Sequence, residues 1–154
     1  MNKEEYMQRA FELALESAKE NEVPVGAVVV YDGQIVGEGR NRREKSKNAL
    51  SHAEIEAIDN ACKNMGGWRL HKCDIYVTLE PCPMCAGAII NARIKKVYFG
   101  AKDPKNGAIV SKACLFDFEF THKPECEEGI LEDKCSNLLK TFFKNLRLQK
   151  VEEN

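Results

Sequence analysis

The stretch between Asp74 and Phe99 limits the fold of this chain more than any other feature. Asp74-Ile75-Tyr76-Val77-Thr78-Leu79 reads as a strand. Pro81 opens a helix running from Cys82 to Ala92, and Lys96-Val97-Tyr98-Phe99 reads as the next strand. Such a unit returns its second strand parallel to the first through a right-handed crossover. The small residues of the intervening helix let it pack close to its neighbours.

The flanking segments supply helices and further strands. In the first twenty residues Met7, Ala10, Phe11, Ala14, Leu15 and Ala18 recur at helical spacing, opposite Glu4, Glu5, Gln8, Glu12, Glu16 and Lys19. Pro24 ends that helix. Val25–Tyr31 is a β-branched run, and Gln34–Gly37 is its return strand. Asp32-Gly33 between them marks a hairpin turn that needs positive φ. Residues 40–50 are polar and basic and read as a loop. A second helix opens at Ser51-His52-Ala53-Glu54, continues through Ile55, Ala57, Ile58 and Ala61, and ends near Gly66-Gly67; Trp68 beyond it is read as a core residue rather than a base-stacking platform. Residues 101–112 read as a loop, and Phe116, Phe118 and Phe120 alternate with Asp117 and Glu119 as a strand would. Leu131–Leu148 predicts a last helix with Leu138, Leu139, Phe142, Phe143 and Leu146 on one face. No repeat, linker or low-complexity segment intervenes. Residues 1–154 are therefore expected to form a single α/β domain with helices covering a mixed sheet.

Charge and cysteine content narrow the function. The 154 residues carry 23 Lys+Arg against 24 Asp+Glu, a net −1, which excludes a protein that coats nucleic acid by charge alone. The charge is uneven, however. Arg40–Lys47 and Arg93–Lys105 each carry five basic residues and one acid, and Lys134–Lys150 carries five and none. If these segments converge they form an anion-binding face; separately they are solvated surface. Apolar runs such as Val25–Tyr31 are far too short to cross a bilayer, and Met1–Glu5 lacks the apolar core of a secretory signal. A cytoplasmic protein with no membrane partner is expected. There the seven cysteines point to metal binding or catalysis rather than to a disulfide framework.

Two short motifs hold the chemistry. Pro81-Cys82-Pro83-Met84-Cys85 puts two sulfurs on the first turn of a helix, where the dipole and free N–H groups favour the thiolates that zinc needs. His52, at another helix start, supplies a neutral imidazole as third ligand. Three protein ligands leave a fourth tetrahedral position for water, the arrangement of a catalytic zinc. Glu54, two residues from His52, stands near that water without binding metal. Each part also has a plain reading. Ser51-x-x-Glu54 fits a helix capping box, and His52 fits a polar helix start. Cys82 and Cys85 fit a redox pair, or half of a structural zinc site completed by Cys62, Cys73 or His71. The combination favours catalysis, since H-x-E followed by P-C-x-x-C is the signature of zinc-dependent base deaminases.

The sequence resembles the cytidine-deaminase-like superfamily and, within it, the bacterial tRNA-specific adenosine deaminases. The resemblance spans nearly the whole chain. It rests on Glu22–Ala27, on Gly39-Arg40-Asn41-Arg42, on His52-Ala53-Glu54 and above all on Tyr76–Gly87. Phe99–Asp103, Glu128–Leu131 and Phe142-Phe143 extend it. It implies a three-layer α/β/α fold with a mixed five-stranded sheet, one zinc per subunit, and a homodimer with active sites near its interface. It also implies conversion of adenosine to inosine at the wobble position of a tRNA anticodon, with release of ammonia. His52, Cys82 and Cys85 take the places of the metal ligands and Glu54 that of the catalytic acid and base. Asn41, Ala53 and Asp103 take those of substrate contacts. The sequence departs from the family between Asp103 and His122, where Ala108–Lys112 follows Asp103-Pro104-Lys105-Asn106-Gly107 and Thr121-His122 replaces an Asn-His pair; the family places a short helix near residues 111–118. A deaminase of a free base or nucleoside, such as guanine or cytosine, would use the same zinc apparatus without a basic face.

Overall fold

A computed structural model describes residues 1–153; Asn154, the last residue of the expected single domain, lies outside them. In chain order the elements are α1 (Lys3–Lys19), β1 (Gly26–Tyr31), β2 (Gln34–Arg40), α2 (Arg43–Ser46), α3 (Ala53–Met65), β3 (Cys73–Leu79), α4 (Pro83–Asn91), β4 (Lys96–Ala101), β5 (Glu125–Glu127) and α5 (Glu132–Glu153), with a 3₁₀ turn at Leu115–Asp117. The strands form one sheet in the order β2-β1-β3-β4-β5. β1 pairs antiparallel with both β2 and β3, while β3–β4 and β4–β5 are parallel. The Asp74–Phe99 unit is thus the parallel crossover its sequence predicts.

Strand periodicity divides the core between two faces. Ala27, Val29, Ile75, Val77, Val97 and Phe99 pack with Ala53, Ala57, Ala86 and Ile89 of α3 and α4. Val28, Val30, Tyr76 and Tyr98 pack with Met7, Ala10 and Phe11 of α1 and Cys135 of α5. Both faces of β1 are covered, so its sequence is apolar throughout and does not alternate. The result is the expected three-layer α/β/α sandwich.

Two local devices fix the positions of the elements. The β1–β2 hairpin closes through Asp32 (φ 48°) and Gly33 (φ 77°), with Tyr31 paired to Gln34. Positive φ at both residues matches the twist of the strands, as the Asp-Gly pair predicts. α3 lies directly on the backbone of β2: a Cβ built on Gly37 would sit 2.3 Å from Ala57 O, and one on Gly39 would sit 2.2 Å from Ala53 O. Only glycine admits that approach, and it sets where α3 begins.

Four expectations need correction. Residues 116–120 do not form a strand; a 3₁₀ turn buries Phe116 and leaves Phe118 60% exposed. The segment belongs to the return path from the end of β4 to the start of a strand parallel to it, and so pairs with nothing. The fifth strand is instead the polar edge segment Glu125–Glu127. The polar stretch 40–50 contains the single-turn helix α2. Ser51 forms no capping box, because His52 is the N-cap of α3 and makes no side-chain cap bond. Trp68 is 50% exposed, lying beneath the Arg69 and Arg93 guanidinium groups at 4.7 and 5.6 Å instead of entering the core. Among the described residues no helix is long and apolar enough to cross a membrane.

Candidate active site

The carboxyl end of β3 runs through Glu80 and Pro81 directly into α4, and the N-termini of α3 and α4 meet there. His52 is the N-cap of α3 and Cys82 the N-cap of α4, and neither uses its side chain for capping. Those side chains face each other instead. His52 Nδ1 lies 3.6 Å from Cys82 Sγ and 3.5 Å from Cys85 Sγ, which sits in the first turn of α4. One ligand atom from each of the three lies within 4.8 Å of the others.

This donor set fits zinc. With Zn–S bonds of about 2.3 Å and Zn–N bonds of about 2.0–2.1 Å, a tetrahedral angle sets nitrogen and sulfur about 3.6 Å apart. Both observed nitrogen–sulfur separations match. The electrostatics also suit a cation. Hydrogen bonds from the Cys85 thiol, the His52 ring and the Cys85 backbone N–H, with the charge of His52, hold the Cys82 sulfur down at about 4 against its burial. The same contact with Cys82, with burial, pushes the Cys85 thiol up, and the hydrogen bond to Cys82 raises His52. The lowered Cys82 sulfur suits a cation directly, whereas Cys85 holds its proton more tightly and would release it on binding metal.

Glu54 is the second residue of α3 and only 4% exposed, close enough to Cys85 to interact with its thiol. Burial, reinforced by the negative Cys82 sulfur, pushes its carboxyl up to about 7. A group near neutrality can accept and return a proton in one cycle. Ala53, at the first position of α3, is fully buried between His52 and Glu54. The structure brings His52, Glu54, Cys82 and Cys85 together; Cys62, Cys73 and His71, the candidates to complete a structural zinc site, are not in this cluster.

Asn41 and Asp103 stand on two separate loops. The Asn41 side chain bridges two loops, donating from Nδ2 to Val23 O of the α1–β1 connection at 3.1 Å and accepting at Oδ1 from Arg43 N of its own loop at 3.2 Å. Asp103 accepts at Oδ1 from Lys105 N and Asn106 N, both at 3.1 Å, in a tight turn. Each loop is tied down by a buried glutamate that sequence reasoning missed. Glu22 accepts from Glu44 N and Lys45 N at 3.0 and 2.8 Å. Glu80 accepts from Asp103 N, Ile109 N, Val110 N and Ser111 N at 2.9–3.1 Å and from the Ser111 hydroxyl at 2.5 Å. These bonds outweigh its burial and lower its pKa. The available signal was an acidic residue one or two positions before a proline at the edge of an apolar run, in Glu22-Val23-Pro24-Val25 and Leu79-Glu80-Pro81.

The basic segments are partly neutralised within the fold. Arg40 pairs with Glu16 and Glu20, Arg42 with Glu56, Lys96 with Glu127 and Lys102 with Glu128. Pocket-lining contacts between the end of α1 and the second half of α5, from Ala18 and Asn21 to Asn145 and Gln149, bring the last helix to the same end of the sheet as the Glu22-anchored loop.

Residues 1–147 match the MafB19-like deaminase family. The chain is 45% identical over 146 residues to the tRNA-specific adenosine deaminase of Bacillus subtilis (strain 168), covering 94% of this chain and 91% of that one. A solved structure from work on A-to-I editing by tRNA:A34 deaminases at the wobble position of transfer RNA superimposes with a TM-score of 0.85. It has 40% identity and covers 88% of this chain and 99% of its own. Guanine deaminase from Bacillus subtilis superimposes with a TM-score of 0.64 at 40% identity, over 80% of this chain and 79% of that one. By the family match over residues 1–147 and by the 45% identity across nearly the whole chain, the protein belongs to the MafB19-like deaminases and, among them, to the tRNA-specific adenosine deaminases.

Proposed function

We propose that this protein hydrolyses the C6–amine bond of adenosine at the wobble position of a tRNA anticodon, taking up water and leaving inosine and ammonia. The single observation that carries the reading is the His52–Cys82–Cys85 cluster with Glu54 beside it. The 45% identity to a tRNA-specific adenosine deaminase sets the substrate class. Held by His52, Cys82 and Cys85, zinc would supply Lewis-acid activation of a water molecule.

The chain's own residues then handle protons and position. Glu54 takes a proton from the attacking water and hands it to the ring nitrogen next to the attacked carbon. It then helps protonate the departing amine. Its raised pKa suits both halves of that cycle. Ala53 lies in the first turn of α3, whose unpaired N–H groups can hold the base. Asn41 and Asp103 stand on the two loops beside the site and contact the target nucleotide and its neighbours. A stacked base cannot reach a buried site, so the nucleotide is splayed out of a single-stranded loop. Arg43, Lys47, Lys105 and the lysines of α5 have no ion pair among the described residues, and they hold the loop phosphates.

The enzyme acts as a cytoplasmic homodimer in this reading. The outer face of α4 supports it: Met84, Gly87 and Ala88 line an open groove with Leu50, Ile55 and Phe120, which a second copy would cover.

A second reading is favoured by the likeness to guanine deaminase, which keeps the chemistry and changes the substrate to a free base. Zinc-loaded protein incubated with an anticodon stem-loop, adenine, adenosine, guanine, cytosine and cytidine separates the two by product mass. Inosine from the stem-loop alone is the expected result. Product from a free base or nucleoside, with the stem-loop untouched, would overturn the tRNA assignment.

A further inference from the structure

We propose that Glu80 is a positioning residue that sets substrate affinity by holding residues 102–111 as one wall of the cleft, without entering the chemistry. The inference rests on the deaminase reading above and deepens it.

Glu80 is 2% exposed, and no lysine, arginine or histidine pairs with it among the described residues. Its negative charge is met by four backbone N–H groups and one hydroxyl, all from the loop after β4. One carboxylate oxygen receives Asp103 N and the Ser111 hydroxyl, the other receives Ile109, Val110 and Ser111 N. The two ends of the loop therefore converge on a single side chain. Gly107, between them, leaves no space: a Cβ there would lie 2.3–2.5 Å from the Glu80 carboxyl atoms. Ala108 N adds a bond to Pro81 O at 2.9 Å.

The location gives this anchoring a function. β3 and β4 are parallel and discharge at the same end, β3 into Cys82 and β4 into this loop. In open sheets of this kind ligands occupy the space outside the carboxyl ends of the strands. With its N–H groups turned inward to Glu80, the loop leaves Lys102, Lys105, Asn106 and Lys112 exposed on its outer side. A charge-assisted network of this kind holds a loop in one geometry before substrate arrives.

The test is steady-state kinetics of zinc-loaded Ser111→Ala, Ser111→Thr and Glu80→Gln on the anticodon stem-loop, with zinc content measured alongside. Ser111→Ala is expected to raise KM about tenfold, the effect of one charge-assisted hydrogen bond. Glu80→Gln, which sets an amide donor against N–H groups, is expected to raise it further. In both, kcat should stay within about threefold and zinc at one per chain, and Ser111→Thr should restore KM because it keeps the hydroxyl. Unchanged KM in Ser111→Ala, or a fall in kcat and zinc without a KM effect, would overturn the proposal. The serine pair decides the matter even if Glu80→Gln does not fold. Wild-type protein that ignores the stem-loop but turns over a free base would sink the tRNA reading alone. The same KM comparison on that base would then uphold or overturn the role of Glu80.

Discussion

His52 Nδ1 lies 3.5 Å from Cys85 Sγ although 33 residues separate them, and both positions are set by helix starts rather than by flexible loops. A site placed by two helix termini should lose its metal when one donor is removed, without losing its fold. His52→Ala, Cys82→Ser and Cys85→Ser are each expected to drop zinc from one per chain to near zero by metal analysis while the far-ultraviolet dichroism stays native. Retained zinc in Cys85→Ser would exclude it as a ligand.

Glu54→Ala leaves all three donors in place. It should keep a full complement of zinc and lower kcat by about 10²–10⁴-fold, the range for a positioned acid–base group. A variant that still turns over purified RNA at the wild-type rate would remove Glu54 from the mechanism.

The exposed cations of α5 and of the Arg43–Lys47 segment predict binding that depends on ionic strength. RNA affinity should fall by about one to several orders of magnitude between 50 and 200 mM salt, with a shallower slope in Lys144→Glu. A flat salt dependence would show that these groups do not meet phosphates.

Backbone contact between α3 and β2 predicts intolerance at Gly39, where a Cβ would lie 2.2 Å from Ala53 O and 2.5 Å from Ala57 N. Gly39→Ala must push α3 outward, and overpacking of this kind costs about 1–3 kcal/mol. Urea denaturation should report that loss together with weakened zinc binding, because His52 moves with the helix.

Glu80 also links stability to pH. Its pKa is lowered in the folded chain, so its contribution is present above the pKa it has unfolded and fades as pH falls through the folded value. Glu80→Gln should be less stable than wild type by about 1.5–3 kcal/mol at pH 7. That difference should shrink on acidification, measured by urea melts at several pH values. A constant difference would mean that the charge itself contributes nothing.

Local patterns with one physical meaning were legible in the sequence. Asp32-Gly33 can only turn tightly, the β-branched runs can only be buried strands here, and Pro81-Cys82 can only start a helix after a strand. The candidate metal donors were legible for the same reason, since the spacing within each motif is short. What escaped reading depends on long-range partners. Glu125–Glu127 becomes a strand only because β4 offers a free edge and Lys96 bonds Glu127 at 3.3 Å. Phe118 and Phe120 alternate like strand residues, yet no edge is within reach of them. Glu22 and Glu80 look like surface acids, and their burial follows from loops that arrive from 22 to 31 residues away.

The glycine contacts that seat α3 on β2 separate two jobs along the chain. Because Gly37 and Gly39 seat the body of the helix on β2, the exposed side chains of Arg43–Lys47 can change charge without shifting His52. The segment after β4 is held at Glu80 and Pro81, while Cys82 and Cys85 are carried by α4. Selection can therefore rewrite the surface that chooses a nucleic acid while the hydrolytic centre stays as it is, so one reaction can be carried to new addresses by loop changes alone.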